Sequence, residues 1–402
     1  VKPMSNQTDL TQGDVRRQLI RYSLPIIAST VMQTVYSLVD LMVVSRMLGS
    51  AGASGVSNSS QIVLMLTNIA VGLANGGNIL VSQYFGSRDK ARQERVTGTF
   101  LTLFTLVGAF VAVGTFLLAG PMLRLISAPA YEEAVAYLRI AGLGMFFVYF
   151  YNCASSVLRA VGNSKQPMRI IMVTCVLNVV LDLLFVGPLG LGTAGAALAT
   201  VLSQGLSCVL ALGYLLKNRD IFSFRRALMK LNGEDTASIL KLGIPCAVQM
   251  TVASISWLTV TFLVNGYGVD CSAASAYAAK VKDLSMMFIT SLINAASVMI
   301  AQTLGAGKFD RAKEVLGEAM KLSILISVVL IALVELGAPL FARLFTADAE
   351  VIRIAALNMR IEILGQIFYS IFLIYHAMMI GAGDTYMVLV SSFVNCIFFR
   401  II

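Results

Sequence analysis

The sequence predicts an all-helical, polytopic membrane protein of two six-helix lobes, related by a pseudo-two-fold axis along the membrane normal. The last helix of the second lobe is expected to be missing from this chain. Three observations predict this. Hydrophobic residues make up 57% of the chain and charged residues only 13%, against about 25% charged in a soluble domain. Apolar runs of about 18 residues or more, each able to cross a bilayer, recur along the whole length. The second part of the chain also repeats the first at a nearly constant offset.

After a polar start to about residue 15, hydropathy places spans at roughly 18–46, 53–85, 95–119, 133–158, 166–187 and 193–216. With the N-terminal tail these form a lobe over residues 1–216. A polar, basic connector covers 217–238 and carries Lys217, Arg219, Arg225, Arg226 and Lys230. The second lobe, 239–402, holds spans at roughly 240–265, 272–304, 314–342, 350–380 and 385–402, which makes eleven. Several exceed the ~20 residues a crossing needs, so they are expected to tilt, bend or project from the bilayer. Residues 1–20 are polar and the first apolar run is too long for an h-region, so no cleavable signal peptide is expected.

The net charge of +9 raises nucleic acid as a partner, but the distribution of the basic residues points elsewhere. Most of the 30 Lys and Arg fall in the N-terminal tail and the even-numbered connections, while the odd-numbered ones hold few (Arg46, Arg124, Arg343, Arg353). By the positive-inside rule the N-terminus is cytoplasmic, and a multi-pass protein of a bacterial cell membrane is expected, with lipid as its surroundings. The six cysteines lie mostly in apolar runs with no CxxC pair, and read as small buried residues.

The repeat is carried by four ordered matches. Ile20-Arg-Tyr-Ser-Leu-Pro25 matches Leu240-Lys-Leu-Gly-Ile-Pro245, and Ser82-Gln-Tyr-Phe-Gly86 matches Ala301-Gln-Thr-Leu-Gly305. Asp89-Lys-Ala-Arg92 matches Asp310-Arg-Ala-Lys313, and Gly162-Asn-Ser164 matches Gly383-Asp-Thr385. At that offset Ile402 corresponds to Leu181, so the counterparts of Asp182 and of the sixth span are absent, about 35 residues by the repeat logic.

Two acids stand about mid-way along spans otherwise fit for lipid: Asp40 in the first and Asp182 in the fifth. A carboxylate there costs roughly 2.5–3.5 kcal/mol on insertion scales, so a functional reading comes first. Tyr36 lies one helical turn from Asp40, and Asn178 one turn from Asp182, on shared faces. These four residues are expected to converge on a cation site that drives a transporter. The alternative for each is polar glue between helices. Two carboxylates close together in low dielectric either share a proton or hold a cation between them. Hydroxyl, amide and carboxylate oxygens suit a hard cation such as Na⁺.

Other polar residues within the spans carry weaker readings. Gln33, one or two turns from Tyr36 and Asp40, is a candidate for a substrate cavity. Lys280, Lys282 and Asp283 sit early in span eight; Lys280 and Asp283 are spaced i,i+3 and read either as a self-neutralising pair facing a wet cavity or as a substrate contact. Glu335 and Glu362 lie near outer ends, and His376 reads as a proton relay or a satisfied polar residue. The nineteen methionines and the run Met145-Phe-Phe-Val-Tyr-Phe-Tyr151 read mostly as lipid-facing packing, with an adaptable pocket for flat cations as the alternative. No Gly-x-x-x-x-Gly-Lys-[Ser/Thr] sequence occurs. Nor do a His/Cys metal cluster or a nucleophile elbow, so neither direct ATP power nor a membrane enzyme is expected.

Together, Leu24-Pro25, Val39-Asp40 with Gly49, Gln83-x-x-Gly86, Leu158-Arg-Ala-x-Gly162-Asn-Ser164, Leu177-Asn178-x-x-Leu181-Asp182 and Gln302-x-x-Gly305-Ala306 before Asp310-Arg311 resemble the multidrug and toxic compound extrusion (MATE) transporters. The resemblance runs from about residue 15 to the end. It implies a two-lobed antiporter that exports organic, often cationic compounds in exchange for Na⁺ or H⁺, with no cofactor and as a monomer. It also implies a cation site in the first lobe from spans one, five and six, matched here by Asp40, Asn178, Asp182 and Thr200 with Tyr36 nearby. One branch of the family instead uses a glutamate in span seven and an aspartate in span ten. Span seven here reads Gln249-Met-Thr-Val-Ala-Ser-Ile-Ser-Trp257, without an acid, so coupling is expected in the first lobe. The rivals are a flippase for lipid-linked saccharides of the same superfamily, which predicts a basic, hydrophilic central cavity, and a non-transporting receptor or assembly factor.

Overall fold

The computed structural model describes residues 9–126, 130–218, 229–346 and 348–400, and among these the regular structure is helical. Helix α1 covers Val15–Ser87, α2 Lys90–Leu125, α3 Tyr131–Ala160, α4 Lys165–Val186 and α5 Gly192–Lys217. After the connector come α6 Gly233–Asn265, α7 Val269–Gly305, α8 Phe309–Arg343, α9 Ala349–Leu364, α10 Gln366–Ala382 and α11 Thr385–Val394. Lys2, Arg219, Arg225 and Arg226 of the basic segments lie outside the described residues.

Two apolar stretches share α1, Val15–Leu48 and Ser54–Ser87. Residues 26–33 of the first and 71–78 of the second line one cavity, so the chain reverses between them and the two spans run side by side. Among the described residues nine stretches are long and apolar enough to cross a membrane. The α9–α10 pair, bent by 44° at Gly365, makes a tenth. Of the eleventh expected crossing, 385–402, the described residues form α11 and a π-helical turn, Asn395–Phe399. The helical part of the second lobe also begins earlier than residue 240. Asn232 caps α6 by accepting a hydrogen bond from the Asp235 N–H at 3.1 Å, which lets the helix start at Gly233. Glu234 and Asp235 then occupy its first turn, where the helix dipole favours negative charge.

The repeat seen in the sequence has matching local structure. Gly162 and Gly383 both take left-handed backbone, with φ of 81° and 85°, which ends α3 and α10 at low cost because glycine has no Cβ. The next residue caps the following helix in each case: Asn163 Oδ1 accepts from the Gln166 N–H, and Asp384 Oδ1 from the Met387 N–H.

Helices α1, α2 and α5 surround α3, whose Tyr149, Met145, Cys153 and Leu158 are fully buried in the largest apolar cluster. In the run Met145–Tyr151, Met145, Tyr149, Phe150 and Tyr151 pack inside the lobe, while Phe146, Phe147 and Val148 are half-buried, so the run is in large part core packing and not lipid-facing packing. In the second lobe α7, the repeat counterpart of the second span of α1, packs against α8, α9 and α10. All six cysteines are free thiols, and only Cys271 is not buried.

The polar contacts between the lobes gather toward one end. Among the described residues, every hydrogen bond and ion pair between them lies in the half of the bundle that carries the basic connections. Gln83 Nε2 donates to the Gly381 carbonyl at 3.1 Å, and its repeat partner Gln302 donates to the Ala160 carbonyl at 2.7 Å. A Cβ on Gly86 would collide with the Gln302 carbonyl, and one on Gly305 with the Gln83 carbonyl, so α1 and α7 cross backbone to backbone. Gly72 against Ala247 and Gly76 against Gly243 extend the close approach. Lipid tails give apolar helices no hydrophobic reason to associate, so such small-residue packing is what draws them together. Arg95 adds a bidentate pair to Asp235, at 2.7 and 3.1 Å.

The N-terminal segment seals the same end. Leu10 is fully buried. Arg311 donates to the carbonyls of Leu10 and Gly13 at 3.2 and 2.8 Å and to Gln18 Oε1 at 3.0 Å, while Lys308 Nζ donates to the Thr11 carbonyl at 2.7 Å. Hydrogen bonds from a charged donor contribute about 1.5–3 kcal/mol each. Arg311→Ala is therefore expected to free residues 9–14, read as faster limited proteolysis before Val15 with α1 itself still protected. Unchanged cleavage would show that Lys308 and burial of Leu10 suffice.

Candidate functional site

Asp182 and Asn178 project from α4 into the first lobe, at 0% and 2% exposure, facing Asp40 and Tyr36 from the first span of α1. The carboxyl groups of Asp40 and Asp182 lie close enough to repel each other. The hydroxyls of Tyr36 and Tyr137 lie close enough to feel both acids. Helical spacing accounts for the alignment: Tyr36 with Asp40, and Asn178 with Asp182, are four residues apart.

Five polar atoms in this cluster are buried without a hydrogen-bond partner: Asp40 Oδ1, both side-chain polar atoms of Asn178 and both carboxyl oxygens of Asp182. A buried polar group left unpaired costs about 1–3 kcal/mol, more when charged. Orphans are rare in native proteins, and five in one place call for a proton, a water or an ion. Four of the five are oxygens, taking the Asn178 amide as assigned. Two carboxyl groups and an amide oxygen suit a hard cation or a shared proton.

Thr200 lies on α5, where its hydroxyl donates to the Ala196 carbonyl at 3.1 Å, which leaves its oxygen lone pairs free. Tyr137 was not legible in the sequence: an uncharged tyrosine on α3, one of thirteen in the chain, it enters the cluster because α3 packs against α1 and α5, where it joins Val43, Val44, Ala196 and Ala197.

Of the substrate-cavity candidates, Gln33 lines the cavity enclosed by both spans of α1 with α3, α4 and α7. Lys280 and Asp283 do not. Both are exposed, and no ion pair joins them among the described residues. The inward lysine is Lys282, two residues on and so nearly opposite Lys280 around α7. Its Nζ lies 3.1 Å from the centroid of the Trp257 ring and 3.9 Å from Glu362, and Arg400 approaches the same ring at 4.4 Å. The aromatic face and the carboxylate together draw Lys282 inward. Glu335 pairs with Arg360 at 3.7 Å. His376 is buried, with Nε2 2.9 Å from Ser391 Oγ, a satisfied polar residue.

The family model MatE matches residues 25–184 and again 245–402, the same offset as the internal repeat. The probable multidrug resistance protein YoeA of Bacillus subtilis is 31% identical over 354 residues, covering 86% of this chain and 76% of that protein. The probable multidrug resistance protein NorM of Thermotoga maritima is 24% identical over 390 residues, covering 95% and 83%. Among solved structures, an outward-facing MATE family transporter of the MOP superfamily superposes with a TM-score of 0.92 at 23% identity, covering 99% of this chain and 89% of that one. The fold, the doubled match and the kinship with these proteins agree, and the chain belongs to the MATE family of multidrug transporters.

Proposed function

We propose that this protein is a secondary active antiporter that exports organic compounds in exchange for Na⁺ or H⁺, coupled through Asp40, Asn178 and Asp182 with Tyr36 and Thr200. The observation that carries the reading is the set of five orphaned buried atoms around two adjacent carboxyl groups. Binding a cation there neutralises like charges and changes how α1 packs on α4 and α5. That bias moves the lobes only if the cation binds one arrangement more tightly than the other. The end that carries the basic connections is taken as cytoplasmic, so the lobes are closed toward the cytoplasm. The names of the relatives, multidrug resistance proteins, support organic drugs as cargo.

The flippase reading has one observation in its favour: the charge lining the cavity between the lobes is that of Arg159. Proteoliposomes holding the full chain, given an imposed Na⁺ or H⁺ gradient, separate the two. Gradient-dependent ethidium movement is expected. Movement of a lipid-linked saccharide without ethidium movement overturns the antiport reading.

Thr200 offers only lone pairs, so Thr200→Ala is expected to weaken the apparent affinity for the driving ion about fivefold. That matches one contribution of about 1 kcal/mol, and it is read from the ion dependence of export. A complete loss would make Thr200 a principal ligand.

A further inference from the structure

We propose that the cavity between the lobes seats an anionic head group, a carboxylate or a phosphate, with Arg159 as its counter-charge. This rests on the antiport reading only for the fate of the ligand, which is export. The cavity is about 200 Å³ and lies where α7 of the second lobe closes over α1, α3 and α4 of the first. Drug-sized sites run about 300–1,000 Å³, so the space fits the head of a larger molecule.

The charge in it is one-sided. Arg159 lines the cavity from the last turn of α3, and no carboxylate lines it. Its guanidinium donates to Ser155 Oγ at 2.8 Å and to Ser156 Oγ at 3.1 Å, both neutral acceptors. Among the described residues no acid forms an ion pair with it, and three of its five N–H donors are unspent. Charged side chains within membrane proteins are normally paired.

The surrounding amides point the same way. Asn78 and Asn152 spend their amides on the backbone, at 2.9 and 2.8 Å. The side-chain amides of Gln33, Asn75 and Asn294 line the cavity with no hydrogen bond among the described residues, Gln33 and Asn294 being exposed and Asn75 half-buried. Three free amides around an unpaired guanidinium match a small, acceptor-rich anion, which Arg recognises through two parallel N–H···O bonds. A cation at the end of α3 is also favoured by the helix dipole. That accounts for a positive charge at residue 159 but not for three unspent donors beside a cavity lined by no carboxylate.

The test is calorimetric titration of the full chain in phosphatidylcholine nanodiscs with salicylate and with its neutral isostere salicylamide. Salicylate is expected to bind at least tenfold more tightly. Arg159→Gln should erase that preference, and Arg159→Lys should keep part of it. Where phosphatidylglycerol in the discs lowers salicylate affinity for wild type and not for Arg159→Gln, lipid head groups compete for the same seat, which also supports the proposal. Equal binding of the two probes overturns it, as does no binding, or equal losses for both in Arg159→Gln. Gradient-driven ethidium export, measured alongside, tests the antiport reading separately: its absence leaves the salicylate result to decide this one.

Discussion

Asp182→Asn is expected to abolish ion-driven export while the protein still folds and reaches the membrane, and Asp40→Asn to do the same. The substitution keeps the shape of the side chain and removes one negative charge from a site where both carboxyl oxygens of Asp182 lack partners. At an effective dielectric of about 20, a carboxylate attracts a cation 4 Å away by about 4 kcal/mol. That corresponds to roughly a thousandfold in affinity. At ordinary ion concentrations the variants would stay unloaded, and an unloaded site cannot bias the lobes. The fold loses little, since among the described residues neither carboxyl oxygen of Asp182 nor Oδ1 of Asp40 has a hydrogen-bond partner. A second readout follows from linkage: a ligand that binds only the folded form raises the melting temperature with its concentration. Wild type should melt higher as the driving ion is added, and both variants should not respond. Undiminished ethidium export by both variants refutes the carboxylate site.

The acids were legible because a charge inside an apolar run stands out and helical periodicity pairs it with a neighbour one turn away. Which helices bring Asp40 to Asp182 came from the family resemblance, since nothing in either segment alone names its partner. Arg159 counted in the sequence as one more basic residue of the fourth connection. Its side chain instead folds back along α3 to Ser155 and Ser156 and lines the cavity. The choice between Lys280 and Lys282 was equally hidden. Their spacing says they face apart, but only Trp257 on α6 and Glu362 on α9 decide which one turns inward. Gln83 and Gln302 were visible as a repeat match, yet their role depends on each reaching a carbonyl of the opposite lobe.

That reciprocity gives the last expected result: Gly305→Leu drives the protein away from the arrangement closed at its basic end. The added Cβ falls on the Gln83 backbone carbonyl, not on a flexible side chain, so the two helices must part. Overpacking of this kind costs about 1–3 kcal/mol. Parting α1 from α7 also strains the two Gln-to-carbonyl bonds, each contributing about 1 kcal/mol. A few kcal/mol is enough to invert a two-state population, because 5.5 kcal/mol spans about 1:99 to 99:1. Spin labels at Arg92→Cys on α2 and Lys313→Cys on α8, both exposed and held only by i,i+3 surface pairs, report the gap. Their distance distribution should lengthen in Gly305→Leu, export should fall more than tenfold, and Gly86→Leu should reproduce both effects because the contact is symmetric. The asymmetric outcome is the informative failure: if only one glycine responds, the two crossings are not equivalent, and the repeat has kept its geometry there without sharing its mechanical role.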